Sequence, residues 1–152
     1  MLFACANLIP VNAGARGGVL GMKRTTHREP CMTHTTFKDW PSLAANLTPA
    51  IRELHKAAPG VMKAFREMGA AAHGAGALDA KTKELLAVAI SVAVRCDPCI
   101  TFHVEGARRH GASREEVAET IGLAIYMGAG PSAMYAAQAL EAYDQYADKA
   151  AG

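Results

Sequence analysis

From Trp40 onward, apolar residues recur at three- and four-residue steps, the period of amphipathic helices rather than strands. Leu43, Leu47, Ile51 and Leu54 mark a first helix that opens at Pro41, is expected to break near Thr48-Pro49 and ends before Pro59. A second begins at Pro59 with Val61, Met62, Phe65 and Met68, then dissolves into the glycine-rich stretch from Gly69 to Gly76. Asp79 is a good N-cap for a third, Ala80 to about Val94, in which Ser91 is the sole polar residue from Leu85 onward. A helix apolar all round must be buried on every side, and in so small a domain that favours cover by a second subunit.

Pro98 places a fourth helix from there to His110, stopped by Gly111. Ser113-Arg114-Glu115-Glu116 reads as a capping box opening a fifth, with Val117, Ile121, Leu123, Ala124, Ile125 and Met127 as its apolar positions. Gly128, Gly130 and Pro131 break it, and a last helix runs from Ser132 to about Lys149. No strand candidate matches these in strength, and no phosphate-binding glycine loop, internal repeat or membrane span is present. The expectation is an all-α, single-domain bundle of about six helices, oligomeric through its third helix.

Composition narrows the class without changing it. The chain has 152 residues, 51% of them hydrophobic, and a formal charge of +2. Arg16, Lys23, Arg24 and Arg28 against Glu29 put +3 within residues 1 to 31, so the remainder is nearly neutral and carries no nucleic-acid footprint. That leading segment holds Gly14, Gly17, Gly18 and Gly21 and reads as a disordered extension, with the helical domain spanning 32 to 152. Its apolar start, Leu2 to Val11, lacks the basic flank and cleavage site of a signal peptide.

Chemistry concentrates in Cys96-Asp97-Pro98-Cys99 and in His103, with Glu84 twelve residues before the first cysteine. On a helix of about 100° per residue, positions 96, 99 and 103 share one face. Cys99 would lie in the first turn, where free backbone N–H groups and the helix dipole favour a thiolate, and His103 follows it at touching distance. Asp97 opposes this, since a neighbouring carboxylate favours the neutral thiol. Glu84 is either a first-turn glutamate favoured by the dipole or a partly buried carboxyl that exchanges protons with the cysteine face. Two cysteines three residues apart suit a cytoplasmic redox pair or metal ligands better than a secreted disulfide framework.

Three chemistries fit. A thiolate can open a peroxide O–O bond and the second cysteine can resolve the sulfenic acid as a disulfide. Cys96, Cys99 and His103 can hold zinc, though one ligand short of a structural site, and neither His55, His73 nor His110 has ligand-like spacing. Alternatively, both cysteines are small core hydrophobes beside a solvated histidine. His73 itself reads as a solvated helix-end residue.

Glu84, the twelve-residue step, Cys96-x-x-Cys99 and then x-x-x-His103 resemble the core of the alkylhydroperoxidase D-like branch of the carboxymuconolactone decarboxylase family. The similarity covers about residues 40 to 148. It implies Cys99 as the peroxide-reactive thiol, Cys96 as the resolving one, and Glu84 with His103 as the proton relay. It also implies helical subunits in trimers or hexamers, no metal or flavin, and reduction by a dihydrolipoamide- or thiol-bearing protein in a cytoplasmic antioxidant role. One departure is Asp97-Pro98, where well-studied members can place a histidine. A carboxymuconolactone-decarboxylase-like enzyme, for which Arg95 and Arg108 are generic anion-binding candidates, and a non-enzymatic redox-sensing scaffold are the alternatives.

Overall fold

The computed structural model describes residues 36–151, so the leading segment and its boundary at Met32 lie outside the described residues. Helices α1 (Trp40–Ala57), α2 (Pro59–His73), α3 (Ala80–Ala93), α4 (Asp97–Arg109) and α5 (Arg114–Ala151) follow in order, with no strand among the described residues. α5 is interrupted at Ala129, whose φ of 51° and ψ of −142° are not helical. Counted at that break, the described residues hold six helical segments, in line with the bundle of about six that the pattern predicts.

Local chemistry sets the boundaries. The Asp39 carboxylate accepts from Ser42 N at 2.9 Å, and that of Asp79 accepts from Thr82 N at 2.7 Å. The capping box is reciprocal: Ser113 N donates to Glu116 Oε2 at 2.7 Å and Glu116 N donates to Ser113 Oγ at 3.2 Å. Gly111, at φ +82°, turns the chain out of α4 where a side chain would be strained. At the α5 break, Ser132 approaches Gly128 so closely that a Cβ there would meet its Oγ at 2.0 Å. Contrary to expectation, α1 does not break at Pro49. Pro49 and Ala45, whose carbonyl the proline leaves without an amide partner, both lie on the exposed face, so water can satisfy that group.

The core forms where α3, α4 and α5 meet. Val88, Val92, Ile100, Val104 and Val117 are fully buried, each side chain gaining about 1.5–3 kcal/mol from leaving water. Ala136, Ala139 and Ala142 let α5 approach closely. Trp40, also fully buried, pins the start of α1: its Nε1 donates to Glu141 Oε2 at 3.0 Å, and its carbonyl accepts from Thr101 Oγ1 at 2.9 Å. Thr101 Oγ1 also lies 2.7 Å from the Tyr146 hydroxyl, whose ionisation burial pushes to higher pH.

α3 departs from its expected burial within the single chain. Leu86 and Ile90 are 48% and 60% exposed, and with Leu123 and Met127 of α5 they line an apolar groove of about 390 Å³. α2 packs on α1 and buries no residue of its own. Among the described residues, no helix is long and apolar enough to cross a membrane.

Candidate active site

The turn between α3 and α4 delivers the cysteines. Arg95 sits at φ 60°, a left-handed conformation that costs a non-glycine residue about 1–3 kcal/mol and recurs at functional sites. It reverses the chain so that Cys96 N donates to Ser91 O at 3.0 Å and Cys96 becomes the N-cap of α4, with Asp97 as the first helical residue. Cys96 and Cys99 are joined as a disulfide, their Cα atoms 5.2 Å apart. Cys99 N points at Cys96 Sγ, 3.3 Å away, so the free N–H of the helix terminus serves Cys96. Both residues are half-buried.

One turn further along α4, His103 reaches α3. Its Nδ1 lies 2.8 Å from Glu84 Oε2, and the Glu84 side chain is only 14% exposed. With Nδ1–H donating to the carboxylate, Nε2 is the ring nitrogen left to take up a proton. Gly106 makes room for this pair, since a Cβ there would stand 2.7 Å from Glu84 Cδ and Oε2. Glu84 lies beyond the first turn of α3 and its carboxyl is largely buried.

His73 joins them, which its place in the glycine- and alanine-rich exit of α2 did not suggest. Its Nδ1 is 3.4 Å from Glu84 Oε1, and its ring lies parallel to that of His103, centroids 5.9 Å apart. His73 is the exposed last residue of α2, as expected of a solvated helix end, and it also faces the Glu84 carboxylate. Nothing in the spacing flagged it, because the Gly74 to Leu78 connection, and not a helical period, brings it back to α3.

The opposite side of the cysteine loop carries Asp97. Its carboxylate is paired with Lys38 Nζ, which also donates to Gln138 Oε1 at 2.9 Å. The negative charge that opposes a nearby thiolate is thereby offset by a cation from the strand of chain leading into α1. Of the other candidates, His55 lies in the last turn of α1 and His110 caps the end of α4. Arg108 is half-buried, and its Nε has no hydrogen-bond partner among the described residues.

The fold has counterparts among known proteins. The model of the carboxymuconolactone decarboxylase family matches residues 59–142. A family member from Legionella pneumophila superposes with a TM-score of 0.69 at 44% identity, covering 70% of this chain and 96% of that one. Another from Thermotoga maritima, with a suggested role in the antioxidative response, gives 0.61 at 29% identity over 68% and 91%. An uncharacterized protein of Cupriavidus necator is 47% identical over 91 residues, 60% of this chain and 80% of its own length. With a family match across α2 to α5 and a similar crystallised relative covered almost end to end, the chain belongs to the carboxymuconolactone decarboxylase family.

Proposed function

We propose that this chain is a thiol-dependent peroxidase and disulfide oxidoreductase of the alkylhydroperoxidase D kind, with an antioxidant role. One observation carries the reading: the Cys96–Cys99 disulfide opens the helix that, one turn on, presents His103 hydrogen-bonded to a half-hidden Glu84. The suggested antioxidative role of the Thermotoga relative supports it.

In the reduced protein the Cys99 thiolate attacks one oxygen of a hydroperoxide. The O–O bond breaks, Cys99 keeps the attacked oxygen as a sulfenic acid, and the alcohol leaves with a proton that the Glu84–His103 relay returns, through water. Cys96 then attacks the sulfenic sulfur, forming the disulfide and releasing water. A dithiol such as a dihydrolipoamide-bearing protein restores the pair, giving up two electrons and two protons. Its thiolate attacks Cys99, because Cys96, capped by Cys99 N–H, is the better leaving thiolate. His73 supplies the second imidazole that the Asp97-Pro98 departure takes away from the cysteine loop.

Sulfenic-acid trapping tests the roles. Cys96→Ser is expected to give a trappable sulfenic acid at Cys99 after one equivalent of hydroperoxide, and Cys99→Ser to consume none. The reverse pattern would overturn the assignment.

The working form is a homotrimer or homohexamer. The apolar groove between α3 and α5, and the exposed Val61, Phe65 and Met68 of α2, support it, because isolated subunits rarely show so much apolar surface to water. Sedimentation that found a folded monomer at micromolar concentration would contradict it. A reducing, cytoplasmic setting fits a pair that must cycle.

A further inference from the structure

His73, Glu84 and His103 come from three different helices, yet each offers a ligand atom within 4.8 Å of the other two. We propose that they form a binding site for a divalent first-row transition ion of the zinc class, separate from the cysteines. Two imidazoles and one carboxylate are the donor set of catalytic zinc and non-haem iron sites, which use three protein ligands and leave the remaining positions open. The single negative charge of Glu84 suits a dication. A tetrahedral ion with bonds of about 2.0–2.1 Å separates its ligand atoms by about 3.3 Å. Glu84 Oε1 already lies 3.4 Å from His73 Nδ1, and Glu84 Oε2 lies 2.8 Å from His103 Nδ1.

The site is built and reachable. Gly106 leaves room for the central ligand, since a Cβ there would stand 2.7 Å from the Glu84 carboxylate. His73 and His103 are 41% and 32% exposed at their side chains, so an ion can enter and keep water on its open positions. His73, the last residue of α2, can close the remaining gap by a rotamer change without disturbing the core. Binding would occupy the atoms that form the relay. On the peroxidase reading, which this consequence alone assumes, the loaded protein is a resting form with no proton path to Cys99.

Untagged full-length protein, oxidised to the Cys96–Cys99 disulfide and alkylated at its other thiols, isolates these ligands from sulfur. Calorimetric titration with Zn²⁺, and Co²⁺ titration followed by visible absorption, should show one ion per chain, with Zn²⁺ displacing Co²⁺. His73→Ala should weaken binding by more than tenfold, exceeding the roughly 10-fold lower bound for losing an outer-shell partner. The control His55→Ala should leave it unchanged. Because His73 is exposed at a helix end, its loss is not expected to impair folding. Absence of stoichiometric binding in the unsubstituted protein, or an affinity that His73→Ala leaves unchanged, would overturn the site whatever the peroxidase assays give.

Discussion

The two sides of the cysteine loop are built on different principles. On the Cys96 side the environment is fixed and electrostatic: a helix N-terminus capped by the sulfur itself, and a carboxylate, Asp97, offset by Lys38. On the Cys99 side it is titratable: His103 held by Glu84, with His73 on the other carboxylate oxygen. Fixed dipoles favour a thiolate that must leave, and movable protons favour one that must attack and then release a leaving group. Under the function proposed above, this difference is what assigns the two chemically similar cysteines different tasks.

The largest test of this division is His103→Gln or Glu84→Gln. Each should slow hydroperoxide oxidation of Cys99 by about 10²–10⁴-fold in stopped-flow assays, the usual contribution of a positioned proton donor. Gly106→Ala should reproduce much of that loss, about 10²-fold, the scale of an ångström of misplacement. Its added methyl displaces only the flexible end of Glu84, so thermal melting should move by less than about 4 °C. Thr101→Val leaves the buried Trp40 carbonyl and Tyr146 hydroxyl short of a partner and should cost about 1–3 kcal/mol in denaturant unfolding. Smallest is Lys38→Met, which leaves Asp97 without its cation and should slow thiol alkylation at neutral pH by less than about tenfold, because the pair is a third exposed. A Lys38→Met effect as large as that of His103→Gln would erase the distinction between the two sides.

Most of the frame was legible because it is written locally. Asp79, Pro98, Gly111 and the Ser113–Glu116 box each act within one turn, and the structure ends or starts its helices there. The exception, Pro49, shows the limit of a local rule: an exposed face lets a helix pass a proline because water can serve the orphaned carbonyl. Glu84 and His103 were legible as candidates because a charge at the start of an apolar helix and an i+4 histidine both stand out. Their direct contact, and the space Gly106 gives them, depend on how α3 crosses α4 and on no single stretch of sequence. The contacts of His73, which reads in the sequence only as a solvated helix-end residue, and of Lys38 were missed for the same reason. Their partners lie on other elements, at sequence separations of 11 and 59 residues, and neither spacing has a period that points to a contact.

The most direct measurement is stopped-flow reaction of the fully reduced, metal-free protein with an organic hydroperoxide, followed by intact mass. Rapid loss of the Cys96 and Cys99 thiols, with a mass lower by two hydrogens, is the predicted result. No reaction, with both thiols still open to alkylation, would contradict it and favour the decarboxylase side of the family or a scaffold.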